Sequence, residues 1–192
     1  MQPIATPSLF VMDTQVTVPA LTDFDTVIRF YWPRIFRFVL ASVRDYDVAQ
    51  TLAQDCFFRA HQHRERFRGE ASLQTWLMQI AVNLVRDHAR NRRFQFWRRV
   101  PSEPAQGEHV RNWLADGEIN PEQKVLVKER VAAVWSAAAR LPERQRTVFL
   151  LRFVEDMELL EIAAVTGLKE GSVKVHLFRA LRKVRAQVGR SK

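Results

Sequence analysis

Residues 159–177 read LLEIAAVTGLKEGSVKVHL, and the spacing of their small and apolar residues decides the fold prediction. Two helices approach closely only where a side chain is small, as at Ala163. Four residues later, Gly167 permits the positive φ that reverses the chain. Val173 and Leu177 are four residues apart and give the second helix an inward apolar face. Because these requirements are met together, the stretch predicts a helix-turn-helix.

The outward face of the second helix in this motif is polar and basic. Residues 169–192 contain eight Lys or Arg and one acid. A helix laid in the major groove of DNA reads base edges with its outward side chains and holds phosphates with its basic ones. A basic face on an ordinary helix hairpin is the alternative, but spacing and charge coincide here, which favours DNA binding. The predicted DNA-reading positions are Ser172, Lys174, Val175, His176 and Arg179.

Composition favours an all-α chain that binds polyanions. The 192 residues are 47% hydrophobic, include six Gly and eight Pro, and carry a formal net charge of +9. That charge suits nucleic acid, an anionic membrane surface or an acidic protein. The single cysteine, Cys56, excludes an intrachain disulfide and a multi-Cys zinc site. Since the sequence shows no signal-peptide pattern and no uncharged stretch long enough to cross a bilayer, we expect a soluble, intracellular protein.

Helical patterns lie on either side of an acidic segment that contains Pro and Gly. Apolar residues recur at three- and four-residue steps from Phe24, with Pro33 inside the run, where a kink or a lost backbone hydrogen bond is expected. A second helix is predicted from Asp47 to about Arg64, and Ser72 is the expected N-cap of a third. The predicted architecture is two small helical domains: a mobile tail over 1–20, a first domain over 21–99, a flexible acidic linker over 100–119 and a second domain over 120–192.

Several segments closely resemble the extracytoplasmic-function group of bacterial sigma factors, and the resemblance covers residues 22 to 186. LPERQR at 141–146 and VFLLRF at 148–153 look like the helix that precedes the helix-turn-helix of that family. GSVK at 171–174 and FRAL at 178–181 look like its recognition helix. The resemblance implies that this domain, region four of the family, reads the minus-thirty-five promoter element.

The first domain resembles region two of the same family. DVAQ at 47–50 and QDCFFRA at 54–60 look like the segment that contacts the clamp helices of RNA polymerase. The family more often has Glu at the position of Gln50, and Glu-Thr at the position of Asp55 and Cys56. Asp55 therefore keeps the acidic side chain of the family, whereas Gln50 does not. The resemblance implies that the residues contacting core polymerase are Gln54, Asp55, Phe58 and Arg59.

FRGEA at 67–71 and WLMQIAVN at 76–83 resemble the part of region two that opens and reads the minus-ten element. A base flipped out of the duplex needs a pocket built from a loop and polar side chains on a rigid helix. Trp76 also has helical spacing with neighbouring apolar residues, which favours packing in the core over stacking on a base. The residues implied for this element are Gly69, Trp76, Asn83, Arg86, Arg90, Arg92 and Arg93.

The resemblance implies a dissociable specificity subunit that binds core RNA polymerase and promoter DNA, is monomeric when free, is cytoplasmic and is held inactive by an anti-sigma partner. No phosphate-binding Gly loop, metal cluster or nucleophile motif is present, so we predict no enzyme activity, catalytic residue, metal or cofactor. The alternative is a stand-alone helix-turn-helix regulator that binds duplex DNA as a homodimer. Val175 and His176 stand where the family often has Ser and Arg, which leaves the promoter sequence open. The acidic linker is either a mimic of nucleic acid or a plain tether.

Overall fold

A computed structural model of the chain describes residues 23–96 and 131–189, which we call the N-terminal unit and the C-terminal unit. All regular elements in these two units are helices, which confirms the predicted all-α fold class. None of the described helices combines the length and the apolar character needed to cross a membrane. The predicted tail over 1–20, the predicted linker over 100–119 and the side chains of Arg92 and Arg93 lie outside the described residues.

Three α-helices form the N-terminal unit, and polar side chains cap the start of each one. The carboxylates of Asp23 and Asp45 accept hydrogen bonds from backbone N–H groups of the first turns of the first and second helices. Ser72 Oγ accepts from the backbone of the third helix at 3.1 Å, so the predicted N-cap is confirmed. The elements are α1 (Phe24–Val43), α2 (Tyr46–Gln62), a short 3-10 turn (Arg64–Arg66) and α3 (Leu73–Phe96).

Two local predictions for this unit need adjustment. The second helix begins one residue before Asp47 and ends two before Arg64, because Asp45 supplies the cap. Helix α1 continues across Pro33, whose ring is exposed. Pro has no N–H, so one backbone hydrogen bond is lost as predicted, but packing of the buried face keeps the helix uninterrupted.

The core of the N-terminal unit is built where α1 packs on α2 and α3. Helix α2 presents a row of small buried side chains, which lets the large side chains of α1 and α3 approach its backbone. Cys56 belongs to this row: its Sγ lies 3.4 Å from the Leu77 carbonyl oxygen, and burial raises the pKa of its thiol to about 12. The fully buried residues of this core include Val27, Ile35, Phe38, Val39, Ala49, Ala53, Cys56, Ala60, Leu77, Met78 and Ala81.

The C-terminal unit contains the predicted helix-turn-helix. Gly167 ends its first helix in the left-handed conformation with φ of 69°, and Val173 is fully buried in the second helix, so both predictions are confirmed. The backbone N–H of Glu158 and the carboxylate of Glu161 form a capping box at 2.8 Å that fixes the start of the first helix. The elements are α4 (residues 131–139), α5 (Glu143–Phe153), α6 (Leu159–Thr166) and α7 (Glu170–Val188).

The two units pack directly against each other. Helix α5 lies against α1, and α6 lies against α3. Buried apolar residues from both units form one continuous cluster. Glu155, in the turn that follows α5, forms ion pairs across this boundary with two residues of α1, Arg37 at 3.0 Å and Arg34 at 3.8 Å. The described structure is therefore one packed body, although its two units are far apart in sequence.

Candidate nucleic-acid interface

The predicted DNA-reading residues lie together on α7. Lys174, Val175 and Arg179 are exposed, while Ser172 and His176 are half-buried. Val175 is 46% exposed, and an apolar side chain at this position can contact the methyl group of thymine. This helix therefore offers a polar and an apolar contact within one turn.

Lys174 is not a free cation on this surface. Its Nζ lies 2.6 Å from Glu170 Oε1, one helical turn earlier. Both side chains are well exposed, so the pair adds little stability and can exchange for a phosphate contact. The pair places a negative charge at the start of α7, next to the positions expected to read bases.

His176 differs from its exposed neighbours. Its Nδ1 atom is buried and has no hydrogen-bond partner among the described residues. Burial lowers the pKa of its imidazole, and the positive charges of Arg144 and Arg179 lower it further. The ring is therefore neutral at physiological pH, and it can contact DNA through a hydrogen bond rather than as a cation.

Arg144 is a further candidate DNA contact, which the spacing of residues in α7 could not predict. It is exposed at the start of α5, and its charge acts on His176. It lies in the LPERQR segment that resembles the helix preceding the motif, so its placement beside α7 depends on tertiary packing. Its exposure and charge suit a phosphate contact at the edge of the α7 surface.

The residues predicted for the minus-ten element are in two places. Gly69 is exposed in a turn with φ of 71°, next to the exposed Arg68–Glu70 ion pair. Trp76 is half-buried and packs its ring 5.2 Å from that of Phe67, which supports a packing role beneath this turn. The turn is therefore held by aromatic contacts at its base and open at its tip.

The second place is the surface of α3. Arg86 Nη2 donates to Asn83 Oδ1 at 2.7 Å, and Arg90 forms an ion pair with Asp87 at 3.3 Å. Arg86 and Arg90 are exposed and one turn apart, so both guanidinium groups can reach one phosphate backbone. The Arg86 contact also fixes the orientation of the Asn83 amide.

The predicted polymerase contacts share one face of α2. Phe58 is 63% exposed, whereas the adjacent Phe57 is buried. Three polar residues surround it on the same exposed face. The four predicted residues on this α2 face, all exposed, are Gln54, Asp55, Phe58 and Arg59.

Three further apolar side chains are exposed on the C-terminal unit, and sequence reasoning missed them. Phe153, Leu160 and Phe178 are 53%, 69% and 66% exposed, on α5, α6 and α7 respectively. Phe153 and Leu160 stand at helical spacing with apolar neighbours, which assigns them to a core, whereas Phe178 lies off the inward face of α7. Only the packing of the three helices shows that they remain on the surface.

These surfaces define a helical protein with a helix-turn-helix and a second basic helix on a separate unit. Family models match both parts: "Sigma-70 region 2" over residues 27–95 and "Sigma-70, region 4" over 132–184. The RNA polymerase sigma-H factor of Pseudomonas aeruginosa is 31% identical over 161 residues, which cover 82% of this chain and 81% of that protein. The chain therefore belongs to the sigma-70 family of RNA polymerase sigma factors, in its extracytoplasmic-function group.

Other relatives agree with this assignment. The extracytoplasmic-function sigma-E factor of Escherichia coli is 32% identical over 133 residues, covering 67% of this chain and 68% of that one. The sigma factor RpoE of Bartonella quintana, solved with the anti-sigma factor NepR, shares the fold with a TM-score of 0.66 at 20% identity, covering 88% of this chain and 98% of that one. CnrH, solved with the cytosolic domain of CnrY, has a TM-score of 0.62 at 21% identity, covering 90% and 92%. Family membership confirms the predicted transcription initiation factor rather than a stand-alone regulator.

Proposed function

We propose that the chain is a non-enzymatic, dissociable subunit that binds core RNA polymerase in the cytoplasm and directs it to promoters through two separate DNA contacts. The observation that carries this proposal is the exposed Phe58 face of α2 in a chain that also holds two basic helical surfaces. A DNA-binding protein acting alone has no need of a third, partly apolar surface. The proposed parts are a first domain over 21–99, a linker over 100–119, a second domain over 120–192 and a tail over 1–20.

The second domain would read the minus-thirty-five element through α7. Val175 and the neutral His176 supply base-edge contacts of two kinds, apolar and hydrogen-bonding. Lys174 and Arg179 supply phosphate contacts, with Lys174 exchanging its Glu170 partner for DNA. Ser172 lies at the N-terminal end of the helix, where recognition helices enter the groove.

The first domain would engage the minus-ten element through the Gly69 turn and α3. The open turn would receive an extruded base, and Asn83, held by Arg86, would offer an oriented amide on α3. Arg86 and Arg90 hold the adjacent phosphates, and Arg92 and Arg93 extend the same basic segment of sequence. Trp76 would act by supporting the turn through Phe67.

Core polymerase would bind the exposed face of α2. Phe58 supplies buried apolar area in the complex, and the polar side chains around it form a rim. The free chain is proposed to be a monomer that takes an anti-sigma partner, because RpoE, a protein of the same fold, is solved with the anti-sigma factor NepR.

Transcription with purified core polymerase tests this function. We expect the chain plus core to start RNA at specific genomic promoters, whereas neither component alone does so. Arg179→Ala and Arg90→Ala should each reduce initiation about tenfold or more, because each removes a phosphate or base contact. Arg64→Ala, an exposed cation outside the proposed surfaces, is the matched control. A chain that never initiates with core at any promoter contradicts the proposal.

A further inference from the structure

Val175 is an apolar side chain on the outward side of α7, the helix proposed to enter the major groove. It is 46% exposed, whereas Val173, two residues earlier, is fully buried. The buried residues of this helix are Val173, Ala180 and Val184, which lie on one stripe. Each residue of an α-helix turns the chain by about 100°, so Val175 is turned away from that stripe by about 200°. The phase of the helix therefore directs this side chain to the DNA side.

The two residues that flank Val175 add no uncompensated positive charge beside it. The Nζ atom of Lys174 lies 2.6 Å from the Glu170 carboxylate. Burial, the largest cause, lowers the pKa of the His176 imidazole, and that ring is therefore neutral at physiological pH. A helical turn that only held phosphates would present cations here. This turn of α7 instead presents an apolar contact with its neighbouring charges balanced.

The major groove offers one apolar group for such a side chain to contact. Each base pair presents hydrogen-bond donors and acceptors there, and thymine alone adds a methyl group, at C5. Cytosine has a hydrogen atom on the same carbon, and 5-methylcytosine restores the methyl group. Because a valine side chain has neither donor nor acceptor, it can distinguish pyrimidines in the groove only through this group.

We propose that Val175 reads the C5-methyl group of one pyrimidine in the minus-thirty-five element, so that the chain favours thymine there and binds 5-methylcytosine more tightly than cytosine. This inference rests on the proposed function, in which α7 enters the major groove. Burying one methyl group against Val175 should change the affinity about fourfold. The difference should not depend on salt concentration, because no phosphate contact is gained or lost.

Replacing thymine by deoxyuridine tests the contact in the complex of the full chain with core polymerase. The DNA is a genomic promoter at which that complex starts RNA, and each thymine of its upstream element is replaced in turn. Deoxyuridine lacks the methyl group and keeps the base pairing. At one thymine we expect the wild-type complex to bind about fourfold more weakly, and the Val175→Ser complex to bind both DNAs equally. Replacements that affect wild type and Val175→Ser alike, or affect neither, overturn the inference.

The opposite change tests the same contact by gain. When that T·A pair is replaced by C·G, methylation of the new cytosine at C5 should strengthen wild-type binding about fourfold and leave Val175→Ser unchanged. Ala186→Ser introduces the same side chain at another exposed position of α7 and should behave like wild type in both experiments. Equal wild-type affinity for cytosine and 5-methylcytosine at this position overturns the inference.

Two controls separate this inference from folding and from the proposed function. Circular dichroism checks that Val175→Ser keeps its helices, and Val175→Ala, with the better helix former, replaces it if it does not. A wild-type chain that never initiates with core polymerase contradicts the proposed function. A wild-type chain that initiates normally but binds thymine and deoxyuridine equally at every position contradicts only the role of Val175.

Discussion

Gly167 reverses the chain between α6 and α7 with φ of 69°, and beyond its two chain neighbours no residue has an atom within 4 Å of the place where a Cβ would be. The cost of a side chain there is therefore conformational and not steric. We predict that Gly167→Ala lowers the free energy of unfolding by about 1 kcal/mol. Gly171, inside α7 with equally open space and no positive φ, is the control, and Gly171→Ala should be neutral or slightly stabilising. Urea denaturation measures both, and equal effects would contradict this account.

His176 is expected to titrate below its ordinary pKa of 6.5, because burial and the cations Arg144 and Arg179 disfavour the charged ring. The unfolded chain then binds more protons than the folded chain between that lowered pKa and 6.5. The resulting contribution to stability is present above pH 6.5 and is lost as the pH falls through the lowered pKa. NMR titration measures the shift, and Arg144→Gln should move the pKa upward. A pKa at or above 6.5 in the wild type would show that the ring is not desolvated.

For single residues, the sequence predicted which face of a helix a side chain lies on better than it predicted how buried the side chain is and what it contacts. Spacing placed His176 and Val175 on the outward face of α7, and the structure half-buries one and exposes the other. The difference comes from α5, which brings Arg144 to His176 from a separate part of the chain. A packing role for Trp76 was predictable because its apolar neighbours recur at helical spacing. Its contact with the ring of Phe67 was not predictable from that spacing.

Helix α2 has two adjacent phenylalanines with opposite environments. Phe57 is 3% exposed in the core and Phe58 is 63% exposed on the proposed polymerase face. We predict that Phe58→Ala weakens core polymerase binding about tenfold or more with little change in unfolding free energy. Phe57→Ala should instead destabilise the fold by about 3–5 kcal/mol. Fluorescence anisotropy with labelled chain and thermal melts separate the two effects, and a loss of stability in Phe58→Ala would remove the basis for a surface role.

The helices themselves were predictable because their causes are local. Caps at Ser72 and the positive φ at Gly167 follow from residues a few positions away. The contact between the units was not predictable in this way. Glu155 and Arg37 are 118 residues apart. In the sequence around each of them, nothing distinguishes it from a charged residue exposed to solvent. Only the packing of α5 and α6 on the first unit removes that carboxylate from water.

The continuous core has a consequence for the whole molecule. Because buried apolar residues of both units form one cluster, the wild-type chain should unfold in a single cooperative transition. Arg37→Glu places a second carboxylate against the buried Glu155, which should separate the units, so the smaller C-terminal unit loses the partner surface that covers α6 and should melt first. Calorimetry should therefore record one transition for wild type and two for Arg37→Glu, with the single transition recovered when Glu155→Arg is added. Two transitions in the wild type would mean that the shared core contributes little to stability, and that the units fold independently even when they are in contact.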